Sequence, residues 1–169
     1  VDPAGLAAAM RARNGLRDLS AERIGAEMRR IVVSRGNVAA VTVMQEAGIL
    51  PIVLGGIAFL AQFGRAVRAA TAAGAVPDPA PLLANLACRV EEDGHRVSER
   101  LRLANAERDR LLATLATGAA FAPFPDERAA RGLLYRSGEQ AFRDGVFYGF
   151  GWSTTPPGDV WKNLYHLPD

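Results

Sequence analysis

Hydrophobic and polar positions recur along this chain with the period of a helix, and no stretch alternates with the period of a strand. The organising stretch is 19–51, LSAERIGAEMRRIVVSRGNVAAVTVMQEAGILP. Ile24, Met28, Ile31 and Val32 lie at offsets of four, three and one, so they share one face of a helix. Glu22, Arg23, Arg29 and Arg30 fall on the opposite face. Ser20 is placed to cap this helix, because its hydroxyl can accept from a free N–H of the first turn. Arg23 and Glu27 are four apart, the spacing of a surface ion pair. Gly36 and Asn37 break the helix, with Asn37 set to cap a second, apolar helix over 38–47. Gly48 stands where a left-handed C-terminal residue belongs, and Pro51 keeps the helix from resuming. The pattern predicts a helical hairpin with one basic face.

The same reading carries along the rest of the chain. An Ala-rich helix is predicted over 4–16, with Arg11, Arg13 and Arg17 near its C-terminal end, where positive charge complements the helix dipole. The most apolar window, 49–63, falls short of the roughly twenty residues of a membrane span and carries Pro51 and Gly55-Gly56. It predicts a buried turn between core helices. The Gly pair lacks the Lys-Ser/Thr or Gly-x-Gly company of a phosphate loop. A helix then runs from Gly56 to near Gly74, and GAVPDPAP over 74–81, with three prolines in eight residues, reads as a linker. A core helix over 81–90 follows, closed by Glu91, Glu92 and Asp93 as a solvated helix end. Asn105 is expected to cap a helix ending at Gly118, and Asp126 another after an aromatic connector of Phe121, Pro123, Phe124 and Pro125. Phe142, Val146, Phe147 and Phe150 form an aromatic stripe read as packing, and Trp161 and Tyr165 pin a last helix. The expected fold is all-α, an irregular array of about eight to ten helices with no significant sheet.

Composition adds that nineteen of the twenty basic residues are Arg, with Lys162 the one lysine. Guanidinium can fork to phosphate and stack on bases, although a GC-rich genome gives the same bias. Net charge is only +2, unevenly spread: residues 1–35 hold seven Arg against four acids, and 91–169 hold ten basic and twelve acidic residues. Screening confines such local fields to about 10 Å, so a basic face can act despite a modest total charge. Cys88 is the one cysteine, read as a small core residue, and an intrachain disulfide is therefore excluded. One Cys and two His seventy-one residues apart, His95 and His166, give no metal-ligand spacing. No metal site is expected.

Three phrases go beyond periodicity. ERIGAEMRRI, followed by QEAGILP, resembles the neck-to-body passage of the class II CCA-adding tRNA nucleotidyltransferases and the related bacterial poly(A) polymerases. Glu22, Arg23, Glu27 and Arg30 match its first pattern; Glu46, Gly48, Ile49 and Leu50 match its second. RLRLANAERDRLL is similar to the family's body phrase Leu-x-Leu-Ser-Asn-Ala-Glu, with Ala104 where Ser is usual. GLLYRSGEQAFRDGVF resembles the tail of alphaproteobacterial members. The resemblance covers nearly the whole chain and is weakest at 74–81.

It implies three divisions: neck-like helices over 1–50, a body-like domain over 51–118 and tail-like helices over 119–169. The family's catalytic head, with its Gly-Gly-x-x-Arg-Asp and Asp-x-Asp phrases, and its Glu-Asp-x-x-Arg nucleotide-selecting motif have no counterpart string here. This chain is therefore expected to be the C-terminal part of a larger enzyme and inactive alone, with no catalytic residue and no cofactor of its own. Mg with CTP and ATP belongs to the missing head, which is itself an expected partner. The other is tRNA or another structured RNA, held along its acceptor arm by Arg23, Arg29, Arg30, Arg131, Arg136 and Arg143. Cytoplasmic location and no membrane partner are expected. The rival reading is a helical scaffold that self-associates or binds protein through an apolar neck face of Ala7, Met10 and Leu16.

Overall fold

The computed structural model describes residues 3–154 and 158–168. Among these there are eleven α-helices, two 3-10 turns and no strand. They are α1 (Pro3–Ala12), α2 (Ala21–Val33), α3 (Asn37–Glu46), α4 (Leu50–Leu54), α5 (Leu60–Ala72), α6 (Pro79–Ala87), α7 (Glu91–Arg100), α8 (Asn105–Gly118), α9 (Glu127–Ser137), α10 (Glu139–Trp152) and α11 (Val160–Tyr165). The fold is the all-α array that the periodicity predicts, with a count one above the expected range.

The central element is α6, whose residues from Ala80 to Ala87 are all buried. A helix apolar all round belongs inside. Around it Met28, Val32, Val41, Leu54, Phe63, Leu83, Leu86, Leu101 and Leu111 form the larger apolar cluster. A second cluster joins Phe121, Phe142, Val146, Trp161, Leu164 and Tyr165. Each large side chain removed from water there contributes on the order of 1.5–3 kcal/mol. The stripe on α10 is packing: Phe121 meets Phe142 edge-to-face, with ring centroids 5.4 Å apart, and Phe147 stacks on Tyr165 at 4.7 Å. Helix α8 crosses α10 so closely that a Cβ at Gly118 would lie 2.3 Å from Tyr148 Cδ1.

Several boundaries differ from expectation, each for a local reason. The predicted first helix is divided: α1 stops at Ala12, and Arg13–Asp18 continues as a 3-10 turn, with Arg13 Nη1 donating to the Ala47 carbonyl at 3.3 Å. Asn37 does not cap α3 from outside. It is the helix's first residue, its Nδ2 donating to the Val32 carbonyl at 2.6 Å, while Gly36 supplies the left-handed backbone at φ 82°. The predicted left-handed Gly48 is observed, at φ 69°, and its N–H and that of Ile49 reach back to the Gln45 and Met44 carbonyls. Pro51 does not stop helix formation but sits in the first turn of α4, where its missing N–H is no loss. The linker over 74–81 is shorter than read, because Asp78 already caps α6 by accepting from Ala80 N–H at 3.0 Å.

The acidic cluster opens a helix rather than closing one. Glu91, Glu92 and Asp93 are the first turn of α7, where carboxylates meet the positive end of the dipole. Asp93 Oδ2 accepts from the N–H groups of Arg89 and Val90 at 2.8 and 3.2 Å. At α8, Ala104 occupies the cap position and Asn105 the first helical one; Glu107 Oε2 accepts from Ala104 N–H at 2.9 Å. That is the returning half of a capping box, and a Ser at 104 would supply the other half. Ser20 and Asp126 cap α2 and α9 as predicted, through Arg23 N–H at 3.3 Å and Ala129 N–H at 2.8 Å.

Candidate nucleic-acid interface

The surface of interest begins on α2. Its inner face is fixed by Gly25, Met28 and Val32, all buried. A Cβ at Gly25 would stand 1.9 Å from the carbonyl oxygen of Leu101, so the helix backbone lies directly on the turn that joins α7 to α8. That turn closes with Arg102 at φ 47°, from which Leu103 N–H returns to the Ser98 carbonyl at 2.9 Å. Across the same contact Arg29 Nη1 meets Glu107 Oε2 at 3.4 Å and Arg102 Nε lies 3.9 Å from Glu22 Oε1. The phrases ERIGAEMRRI and RLRLANAERDRLL are thus packed against one another.

This packing sorts the α2 arginines. Arg29 is half-buried and turned to α8. Arg23 and Arg30 point outward; Arg30 is 82% exposed and lies 3.9 Å from Glu27, which pairs with it rather than with Arg23. On α9, Arg131 and Arg136 are exposed, and Arg131 holds Glu127 through Nη2 at 2.8 Å. On α10, Arg143 is 20% exposed, pairs with Glu139 at 3.2 Å and lies over the Tyr165 ring at 5.0 Å.

Next to α10 lies a cleft of about 720 Å³, walled by Arg35 in the α2–α3 turn, Asn37 at the start of α3, α5, the Val76–Asp78 passage and α10. Arg35, Arg110 and Arg143 all line it. Sequence reasoning passed over Arg35 and Arg110. Arg110 is held inside a carboxylate clamp: its Nε and Nη2 fork onto Asp144 at 2.7 and 3.1 Å, and its Nη1 meets Asp78 at 2.5 Å. Gln140 adds a donor to Asp144 at 3.2 Å. Burial pushes the Asp144 carboxyl up, and the Arg110 fork offsets this only in part. Arg35, by contrast, has no ion pair among the described residues. Of the six predicted positions only Arg143 lines this cleft; Arg23, Arg29, Arg30, Arg131 and Arg136 sit outside its lining. A smaller hollow of about 540 Å³ gathers Arg65, Arg68 and Lys162.

The chemistry on offer is recognition of anions. Burial raises the Cys88 thiol to about 12 and the Tyr148 hydroxyl, which donates to the Cys88 carbonyl at 3.1 Å, likewise to about 12. Neither ionises near neutral pH. Burial pushes Asp93 up, but the N–H groups of Arg89 and Val90 and the Arg96 guanidinium outweigh it and hold the carboxyl below its ordinary range. Among the described residues no group of three His, Cys, Asp or Glu side chains could hold a metal ion. Among the described residues no helix is long and apolar enough to cross a membrane. No family model matches the chain, and no curated protein matches it at a significant level.

Proposed function

We propose that this chain is the RNA-gripping portion of a tRNA-maturing nucleotidyltransferase, comprising the late neck, the body and the tail. Its intact parent adds C, C and A to tRNA 3′ ends, or adenylates RNA, with a magnesium-dependent head that uses CTP and ATP. In this reading the chain fixes the acceptor arm at a set distance from that head. Recognition is by shape, through phosphates and 2′-hydroxyls of an A-form helix, with little base readout.

The observation that carries the proposal is the packing of the neck phrase onto the body phrase through Gly25, Leu101, Arg29 and Glu107. Two stretches chosen for their wording alone turn out to be one joint, and that joint leaves Arg23 and Arg30 facing solvent. Arg131 and Arg136 are exposed as well, while Arg29 and Arg143 have partners within the chain that RNA would have to displace.

Filter binding of this chain to tRNA, at low and moderate salt, tests the proposal. Tight binding that weakens steeply with salt is expected, with replacement of Arg23 or Arg30 by Ala lowering the logarithmic salt slope by about one unit or less. Absence of tRNA binding, together with concentration-dependent dimerisation, would return the chain to the scaffold reading. In that case the contact would involve Met10, which is exposed; Leu16 already packs against the larger core.

A further inference from the structure

Helix α9 has an outward face that packing does not account for. Ala130 is buried and Leu133 and Leu134 pack on the second cluster, which fixes the inner face. At about 100° per residue, Arg128, Gly132 and Tyr135 then centre the opposite face, with Arg131 and Arg136 on its flanks. Tyr135 is 91% exposed. Gly132 stands in mid-helix, where glycine weakens the helix relative to alanine. It has no left-handed backbone to justify it, and a Cβ there would meet only the mobile end of Arg136, at 3.4 Å. Neither conformation nor packing calls for a glycine at this place.

What the glycine does is leave a half-exposed strip of backbone, covered only by the end of Arg136, on the same face as an open aromatic ring and the guanidiniums of Arg128 and Arg131. A nucleotide fits that arrangement. Its base can lie on the ring, its sugar can approach the helix once the flexible end of Arg136 swings aside, and its phosphates can meet arginine. The Arg131–Glu127 pair is at the surface, where such pairs hold weakly, so Arg131 can exchange its carboxylate for phosphate. We infer that the outer face of α9 is a stacking platform for one unpaired base of an RNA, with Tyr135 against the base and Arg128, Arg131 and Arg136 around the adjoining phosphates. This rests on the RNA-binding reading above and adds to it a strand state and a contact.

The test titrates the full 169-residue chain into a stem-loop RNA carrying 2-aminopurine in its loop, and into a blunt duplex of the same stem. Binding of the stem-loop should quench the 2-aminopurine. Tyr135→Phe should keep both quenching and affinity. Tyr135→Ala and Gly132→Leu should abolish the quenching and weaken the stem-loop about tenfold, while leaving duplex affinity close to the parent and the thermal midpoint no lower in Gly132→Leu. Because Gly132→Leu favours the helix, its loss of binding cannot be put down to unfolding. Unchanged stem-loop binding in both variants would overturn the platform and leave the RNA reading standing. Failure of the parent chain to bind either RNA would overturn both. A parent dimer that Tyr135→Ala dissociates would assign the face to a second copy of the chain and overturn the platform.

Discussion

Helices α2 and α9 are built alike, arginine outside, apolar residues inside and one glycine in the middle, yet their glycines answer to different masters. Gly25 lies under the Leu101 carbonyl, where no larger residue fits. Gly132 faces outward, with only the flexible end of Arg136 near it, 3.4 Å from where a Cβ would stand. The arginines divide too, but within α2 as well as between helices. Arg29 and Arg110 are committed to carboxylates on other helices, Glu107 and the Asp78–Asp144 pair. Arg23, Arg30, Arg131 and Arg136 are open to solvent. Gly25, Arg29 and Arg110 hold elements together, whereas Gly132 and the outward arginines of α2 and α9 stay available. The comparison teaches that residue type and helical register do not reveal which use a glycine or arginine serves.

The comparison breaks most sharply at Gly25. Gly25→Ala should force α2 off the α7–α8 turn and cost about 3 kcal/mol, lowering the thermal midpoint by about 6–12 °C. A midpoint within a degree or two of the parent would show that the joint is looser than described.

Next in size is Arg110→Met, which strands Asp144, 5% exposed, in the interior. The loss should be about 2–3 kcal/mol at pH 7, below that of a fully buried pair because Arg110 is partly open to water. The sign of its pH dependence follows from Asp144. A carboxyl raised in the folded state takes up a proton on folding, so its contribution is present below the unfolded value of 3.8 and is lost as pH rises through the folded one. Without Arg110 the carboxyl rises further. The variant's deficit, measured by urea denaturation, should therefore shrink as pH is lowered from 7 toward 4. A pH-independent deficit would mean that Asp144 stays ionised without its partner.

Two smaller changes should stabilise. Ala104 already has the extended backbone of a cap, φ −62° and ψ 155°, and Glu107 already returns to its N–H. Ala104→Ser completes the box and should add about 0.5–1 kcal/mol; a denaturation midpoint that falls instead would mean the hydroxyl has another preferred partner. Gly132→Ala should add about 0.5–1 kcal/mol, the reverse of Gly25→Ala. If the two alanines shift the midpoint in the same direction, the contrast between the helices is false.

Much of the helical layout was legible because it is local. Ser20, Gly48 and Asp126 act within one turn of themselves, so their roles follow from residue type and offset alone. Local signals were also misread. Asp78 followed by Pro79 is a strong helix start, a capping side chain and then a residue with no N–H to satisfy, yet the three prolines suggested a linker. Asp93 three residues into α7 carried a capping signal that the bare count of carboxylates hid. The Arg110 clamp was out of reach for another reason. Its partners lie 32 and 34 residues away, on elements whose spacing in the chain says nothing of their spacing in the fold.

The sequence by itself determined that this chain is helical, where several of its helices start and stop, and which face of α2 is apolar. Those properties arise from interactions between residues a few positions apart, and a helix repeats them along its length. Only the tertiary structure decided that α2 rests on the α7–α8 turn, that Arg29 and Arg110 are consumed by ion pairs, and that Arg35 and Arg143 line one cleft. Charges and glycines take their meaning from what approaches them through space, and that distance is set by packing rather than by order along the chain.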